Sequence, residues 1–320
     1  MKKHLTLALS LLLVITLSSC SSIGEPENVA TIVDIEIVNQ YSTQGDGYKV
    51  VTMSNIGFVD NSTSLNNTFP VYINDYPYGQ EGPLYNITDS LKNTINDNLA
   101  RYLGYLYDRF DAEKIVFSSD QDRLYELYYT NKGTEVRSQI NSISILSRDY
   151  PLTLKMSDAD ILNNALVKAA VAYLGLTNPT VSSVVEYGTD GSEYLQTYKI
   201  FDSTSNTFQH IYNNSFECIT VQKYADSNNV IVKIRNPLSL TKYADYPVLP
   251  YEAVIAKLVE YYPNMDTTDI EVEIFYSGTV QPGYFLPCYR FYFKDNDTVQ
   301  ISNNVYSFVD VLLTDRFVDN

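Results

Sequence analysis

The chain has 320 residues, with 38 acidic and 22 basic side chains and a net charge of −16 at neutral pH. A surface this negative repels nucleic acid and anionic lipid headgroups, so no nucleic-acid partner is expected. The length allows one large domain or two to three smaller ones, each with its own core. Tyrosine occurs 29 times and tryptophan is absent. A compositional bias explains this as well as a tyrosine-lined binding surface does, so the count by itself indicates no function.

The first twenty residues, MKKHLTLALSLLLVITLSSC, have the layout of a secretory signal. Two lysines precede an uncharged, largely apolar run from Leu5 to Leu17, which is too short to span a bilayer comfortably. The run leads into LSSC at 17–20, which resembles the bacterial lipobox, in which a cysteine is acylated before the signal is cut off. The sequence therefore predicts a signal peptide over 1–19 and a lipidated Cys20 as the first mature residue. An uncleaved anchor, or a plain signal peptide with an incidental cysteine, is the alternative.

The predicted mature chain begins with a short tether. Removal of residues 1–19 leaves 20 basic and 38 acidic side chains, a net charge of −18. Residues 20–28 are small, polar and acidic, as suits a flexible tether. The expected location is the extracytoplasmic face of a bacterial cell membrane, with the bilayer held through acylated Cys20. In an exported protein Cys218 and Cys288 could close a disulfide or stay as buried thiols, and both alternatives are open.

Three segments have the periodicity of amphipathic helices. In 91–106 leucine and isoleucine recur at intervals of three and four residues. The second helix is predicted over 157–174, where Ser157 can cap the start and Gly175 can end it. The third is predicted over 250–262, between two prolines that suit a helix start and a stop.

Strand-like segments follow each predicted helix, because the apolar period changes there from about 3.6 to 2 residues. After the first helix come KIVFSS, RLYELYYT and EVRSQINSISIL; after the second come VSSVVEYG, EYLQTYKIFD, TFQHIYN and NVIVKIRN; after the third come DIEVEIFYSG and YFLPCYRFYF. Two more strands, VATIVDIEIVNQ and GYKVVTMSNIGFV, precede the first helix. The predicted class is α+β, with repeated modules of one helix packed on an antiparallel sheet. The expected divisions are an N-terminal domain at 29–155 and two modules at 156–240 and 247–320.

The aromatic run GYFLPCYRFYF is predicted to be the second strand of a hairpin over the third helix. Alternation assigns to the helix side Phe285, Tyr289, Phe291 and Phe293. The other face carries Tyr284, Arg290 and Tyr292, which are the candidate partner-facing residues. That face is expected to be wet, with Arg290 beside Glu271 and Glu273, so Arg290→Ala should be nearly neutral for folding. Pro287 donates no ladder hydrogen bond and is expected at a bulge or an edge.

This pattern resembles a known group of proteins. A helix followed by three or four antiparallel strands, repeated, is similar to the PepSY-like modules of exported bacterial proteins. YFLPCYRFYF, after an acidic strand and a Pro-Gly turn, looks like the Y-L-x-P-x-Y-x-F strand of YycH- and YycI-type two-component regulatory proteins and related lipoproteins. The resemblance covers 157–320 and implies a non-catalytic module that binds another envelope protein. Those regulators have an N-terminal membrane helix, whereas this chain has a lipobox, so their kinase-contacting helix has no counterpart here.

The sequence gives little support for catalytic chemistry. His4 leaves with the signal, and His210 lies in the strand-like TFQHIYN, which does not suggest a poised base. Motifs for the common nucleophile, zinc and phosphate chemistries are missing, and no cofactor or metal site is expected. The closest acidic pairs also suit turns and helix caps; they are Asp120 with Asp122, Asp158 with Asp160, and Asp295 with Asp297.

Two functions are consistent with these observations. The favoured one is a non-enzymatic, lipid-anchored protein that binds and regulates another envelope protein. The alternative is a lipoprotein that binds or hydrolyses cell-wall glycans through surface acids and tyrosines. The hydrolytic form of the alternative requires a concave pocket with converging carboxylates, one of them with a raised pKa.

Overall fold

The computed structural model describes residues 37–41, 51–54, 68–74, 89–118, 126–139, 142–187, 192–235, 240–268, 270–278, 283–293 and 307–312. These residues belong to one compact unit that begins at Ile35. Its mixture of a few helices with antiparallel sheets confirms the predicted α+β class. The predicted signal peptide, Cys20 and the tether lie outside the described residues. Within the described ranges, none of the helices has the length and apolar character that crossing a membrane requires.

Along the described chain, groups of strands are separated by helices. The α-helices are α1 (Asp89–Leu106), α2 (Asp158–Asn163), α3 (Ala165–Leu174), α4 (Thr207–Phe216) and α5 (Tyr251–Tyr261), and Ala112–Lys114 forms a 3₁₀ turn. The strands are β1 (Ile37–Tyr41), β2 (Val51–Ser54), β3 (Thr68–Asn74), β4 (Ile115–Ser118), β5 (Glu126–Asn131), β6 (Thr134–Ser138), β7 (Ser142–Ser147), β8 (Pro179–Tyr187), β9 (Glu193–Asp202), β10 (Cys218–Tyr224), β11 (Val230–Arg235), β12 (Leu240–Pro247), β13 (Glu271–Ser277), β14 (Tyr284–Phe293) and β15 (Ser307–Leu312).

The three predicted helices are present, but the second is divided. Ser157 caps α2 through its side chain, and Gly175 ends α3 in the left-handed conformation with φ 71°. Between them Asn164 has an extended backbone, and its Oδ1 accepts from Leu166 N at 3.0 Å, so it ends α2 and caps α3. The division therefore comes from an asparagine that offers the backbone a cap in place of a continuous ladder.

The segment TFQHIYN was predicted as a strand, and this was wrong: it forms α4. Asn206 caps the helix by accepting from Gln209 N at 3.0 Å. The apolar residues recur at helical spacing, as Phe208, Ile211, Tyr212 and Phe216. The strand-like alternation extended over only seven residues, which is weaker evidence than the helix cap and the helical spacing of the apolar residues.

A nine-stranded antiparallel sheet has the order β2-β8-β9-β10-β11-β7-β6-β5-β4. One face packs under α1 and α3 around a core that includes Val136, Ile145, Ile200 and Val232. The segment EVRSQINSISIL supplies two strands, since β6 and β7 pair antiparallel with Thr134 opposite Ser147. The sheet combines strands from both sides of residue 156, so the predicted division there does not separate two sheets.

A six-stranded sheet has the order β1-β15-β14-β3-β12, with β13 on the other side of β14. On the side away from β13, β14 pairs with β3 through Tyr284 and Phe285 and with β15 from Cys288 onward. Pro287 lies in the interval between these two partners. The prediction of a bulge or an edge was wrong, because Pro287 stands opposite Tyr276 of β13 with no shift in register and lies where β14 changes partners on its other side.

Both faces of β14 are buried. On the side predicted to face the helix, Phe291 lies 5.9 Å from the ring of Tyr251 on α5, and Phe293 lies 5.3 Å from that of Tyr262, measured between centroids. This confirms the helix-facing assignment for Phe291 and Phe293, whereas Phe285, assigned to the same helix, meets Phe216 of α4. The opposite face is not wet, because Leu286 and Cys288 belong to a buried cluster with Val71 and Leu312.

Helix α4 connects the two sheets. It packs on β9 of the nine-stranded sheet and on β13 of the six-stranded sheet. Its Phe216 meets the rings of Tyr276 and Phe285, both at 5.0 Å between centroids. This packing places part of the nine-stranded sheet opposite part of the six-stranded sheet.

Candidate functional site: a polar cavity between the two sheets

A cavity of about 360 Å³ lies between the strip of β8–β11 that faces away from α1 and α3 and the face of the six-stranded sheet that carries Arg290. Its charged lining residues are Glu186, Lys199, Arg235, Glu273 and Arg290. Its hydroxyl and amide groups come from Ser182, Thr197, Ser215, Thr220, Gln222, Tyr276 and Tyr292, with the rings of Phe275 and Phe308 among the apolar residues. The lining is therefore mixed polar, charged and aromatic.

Strand alternation explains why the lining is polar. In β9 Tyr198 and Ile200 point toward the helices and are buried in the core. Thr197 and Lys199, the residues between and beside them, therefore point into the cavity. The same alternation on β10 buries Ile219 and Val221 and turns their polar neighbours the other way.

Glu273 is held in place at the cavity wall. Its Oε1 accepts from Asn214 Nδ2 at 3.0 Å, and its Oε2 accepts from the Tyr292 hydroxyl at 3.1 Å. Burial, and then the neighbouring Glu273, raise the pKa of Tyr292 well above its usual value, so the hydroxyl keeps its proton. Asn214 Oδ1 has no hydrogen-bond partner among the described groups. Both oxygens of this carboxylate are thus engaged by neighbouring side chains.

Arg290 forms a two-pronged ion pair with Asp310 of β15. The distances are 2.6 Å from Nε to Oδ1 and 2.8 Å from Nη2 to Oδ2. The Asp310 side chain is 3% exposed and that of Arg290 26%. The guanidinium also lies 4.7 Å from the ring centre of Phe275 and 4.5 Å from that of Phe308. Burial lowers the pKa of Arg290, but the hydrogen bonds to Asp310 and the charges of Tyr292, Asp310 and Glu273 together outweigh it, so the pKa lies well above its usual value.

This pair changes the role assigned to Arg290. Glu273 stands opposite Arg290 in the β13–β14 register, which agrees with the prediction that the two share a face. The carboxylate that pairs with the guanidinium is nevertheless Asp310, from a strand that the sequence analysis did not identify. The wet face from which a nearly neutral Arg290→Ala was predicted is therefore not present, and the change would leave a buried carboxylate without its partner.

Two of the three candidate partner-facing residues, Arg290 and Tyr292, lie in the cavity wall. Tyr292 is buried, so it contributes to the cavity rather than to the outer surface. Tyr284 lies elsewhere, at the start of β14, with its ring 5.3 Å from that of Tyr243 on β12. The fourth candidate, Cys20, is outside the described residues.

Lys199 and Arg235 are the cavity residues that sequence reasoning missed. Arg235 Nη1 donates to Ser215 O at 2.9 Å, which fixes the guanidinium against the end of α4. Neither side chain forms an ion pair with a carboxylate in the part of the chain that the structure describes. The alternation of EYLQTYKIFD could have placed Lys199 on the polar face, but no local pattern shows that a second sheet stands opposite.

The remaining reactive residues lie apart from one another. His210 meets the ring of Phe201 edge-on at 5.1 Å, and burial lowers its pKa. Its Nε2 has no hydrogen-bond partner among the described groups. Cys218 lines the cavity and Cys288 lies in a buried cluster, and no disulfide joins these two thiols.

The acidic pairs named from the sequence do not line the cavity where the structure describes them. Asp158 and Asp160 lie in the first turn of α2. The other two predicted pairs, Asp120 with Asp122 and Asp295 with Asp297, lie outside the described residues. Burial, and then Asp202, raise the pKa of Glu217, which does not line the cavity. Among the described residues no group of three or more metal-binding side chains occurs.

Comparison with known proteins adds no relative, since neither a protein-family model nor a curated protein matches the chain. The resemblance to PepSY-like modules and to the YycH- and YycI-type strand therefore stays a prediction from the sequence.

Proposed function

We propose that the protein is a lipid-anchored, extracytoplasmic binding protein that recognises and regulates another envelope protein and is not an enzyme. The observation that supports this best is the exposed part of the nine-stranded sheet face, on β4 to β7, which continues the face that lines the cavity. There Val116 is 60% exposed and Leu146 39% exposed. Arg137 stacks over Tyr128 on the same face, 5.1 Å from the ring centre. Exposed apolar side chains beside tyrosine and arginine are typical of protein–protein interfaces.

The proposed modular organisation has support from two packing contacts. Within 156–240, α3 packs on β10 and β11. Within 247–320, Tyr251 of α5 packs on Phe291 of β14. Each predicted module thus has a helix that lies on its own strands, although the strands of the first continue into β7 of the N-terminal part.

The anchor is tested by replacing Cys20 with alanine. The expected result is a chain that keeps its signal peptide and incorporates no labelled fatty acid, because the acylated thiol is gone. The matched control is Ser21→Ala, which should incorporate the labelled fatty acid normally. Normal labelling of the Cys20→Ala chain would exclude this anchor.

The interface is tested with a photo-crosslinking residue placed at Leu146 in living cells. The control position is Val259, which is exposed to a similar degree but lies on α5. We expect one defined adduct from position 146 and none from 259, and Leu146→Glu together with Val116→Glu should abolish the regulated response once it is identified. Equal adducts from both positions, or none from either, would argue against this surface.

A glycan-directed function is the second candidate, since the cavity combines aromatic rings with Glu186 and Glu273. Binding is compatible with this lining. Hydrolysis is less well supported, because Glu273 already accepts hydrogen bonds from Asn214 and Tyr292. Release of reducing ends from purified wall glycan, lost in Glu273→Gln, would favour the hydrolytic alternative over the proposal.

A further inference from the structure

Two cations converge on one end of the cavity from the same sheet face. Ile200, Ile219 and Ile234 are aligned across β9, β10 and β11, so Lys199 and Arg235 lie on either side of this row and two strands apart. Strand geometry places their Cα atoms about 12 Å apart. Thr220, opposite Lys199 in the register, lies between them. Both side chains are long enough to meet over Thr220.

Within the described residues, neither cation at this end forms an ion pair with an acid of the cavity. Asp310 is engaged by Arg290, and Glu273 keeps its negative charge but is held by Asn214 and Tyr292. Glu186 pairs with Leu195, four residues along β9 from Lys199, which places its Cα about 14 Å away on the side opposite Arg235. An anion could therefore contact both Lys199 and Arg235 directly, since no carboxylate of the described residues is paired with either.

The neutral lining around the two cations can satisfy a hydroxylated ligand. Ser182, Thr197, Thr220 and Gln222 offer hydroxyl and amide groups on the same face as Lys199. Phe275 and Phe308 lie on the opposite wall, each with the Arg290 guanidinium over its ring, so only their remaining surfaces can contact a ligand. A volume of about 360 Å³ is at the small end of the range for ligand sites. These dimensions suit a molecule of about the size of one sugar.

We propose that the cavity binds a small hydroxylated anion, a sugar acid or a sugar phosphate, whose anionic group is held between Lys199 and Arg235. Arg235 offers its remaining guanidinium donors in a fixed plane, because Ser215 O already holds one of them. Lys199 supplies a compact charge from the neighbouring side. Thr220 lies beneath the anion, and the hydroxyl groups of the ligand meet the other polar side chains. This site does not depend on the envelope partner proposed above.

The test is calorimetric titration of the full chain, purified in detergent, with galacturonate, glucose 6-phosphate, inorganic phosphate, galactose and glucose. We expect binding of galacturonate or glucose 6-phosphate, weakened by salt, and no binding of the neutral sugars. The first two ligands distinguish a carboxylate from a phosphate as the preferred group. Binding of inorganic phosphate alone would show an anion site without a sugar site and would overturn the hydroxylated part of the proposal.

Variants locate the site. Lys199→Met and Arg235→Met keep the apolar stem and remove the charge, and each should weaken binding by about tenfold or more. The matched controls are Lys168→Met on α3 and Arg109→Met after α1, both exposed and away from the cavity; they should bind as the unchanged chain does. Urea unfolding of each variant checks that it is folded. Equal losses in the control variants, equal binding of galactose and galacturonate, or no binding at millimolar ligand would each overturn the proposal.

Discussion

Removing the charge of Arg290 should destabilise the fold strongly, through the carboxylate that it leaves behind. Asp310 is 3% exposed on its side chain and accepts both of its short hydrogen bonds from this guanidinium. Breaking a buried ion pair by deleting one partner costs about 3–5 kcal/mol, because the remaining charge has neither water nor a counter-ion. We therefore expect Arg290→Met to lower the free energy of unfolding by about that amount, although methionine keeps much of the contact with Phe275 and Phe308.

A double variant separates the buried charge from lost packing. Arg290→Met with Asp310→Leu replaces the ion pair by apolar groups, which is often neutral or stabilising. It should therefore recover most of the stability that Arg290→Met loses. The measurement is urea unfolding followed by circular dichroism, with free energies extrapolated at a common slope.

The exposed pair between Arg137 and Glu135 is the matched control. Its distance of 2.5 Å is similar, but the Arg137 side chain is 48% exposed. Arg137→Met should therefore change the free energy of unfolding by only about 0–1 kcal/mol. If Arg290→Met costs no more than this control, or if the double variant is as unstable as the single one, the reasoning about the buried pair is refuted.

Three further predictions concern single residues. Phe291→Ala should lower the free energy of unfolding by about 3–5 kcal/mol, because truncation of this buried ring of β14, which packs against Tyr251 of α5, leaves a cavity; a change within 1 kcal/mol in urea unfolding would contradict this packing. Gly175→Ala should cost about 1 kcal/mol, because alanine is strained at φ 71°; Gly104→Ala, inside α1, is the control and should stabilise slightly. Burial lowers the pKa of His210 in the folded chain, so the unfolded chain binds the proton more strongly. The contribution of neutral His210 to the free energy of unfolding is therefore fully present above the unfolded pKa of about 6.5 and is lost as the pH falls below it. His210→Phe should remove that loss, and unfolding curves at pH 7.5 and 5.0 that shift equally in both chains would disprove it.

Local pattern predicted the elements that carry a strong local signal. The stripe of α5 after Pro250 and the alternation of β14 were read correctly, because periodicity and a helix start depend on neighbours in sequence. TFQHIYN was misread as a strand because seven residues fit both periods. Within the second predicted helix, the sequence pattern did not show whether Asn164 is a helix cap or an interior polar residue.

The cavity depends on information that no local pattern holds. The alternation in β14 separated Arg290 from Phe291 correctly, but it could not show that β15 would bring Asp310 to the guanidinium. Nor could it show that the polar side of β9, with Lys199, would face a second sheet. Sequence alternation reports which residues share a face, whereas the partner of that face is decided by strands distant in the chain.

The pairing of β1 with β15, with Ile37 opposite Val311, affects the order in which the chain can fold. Strands β4 to β11 come from a nearly continuous stretch and are neighbours in one sheet, so they can pair before the C-terminal residues have been synthesised. Strand β3 must wait for β12 and strand β1 for β15, and long-range pairings of this kind form slowly. Until then their unpaired edges are open to association with other chains. A stop codon before Ser307 would thus remove β15 and also deprive β1 of its neighbour, so that one late truncation would cost this end of the sheet two strands.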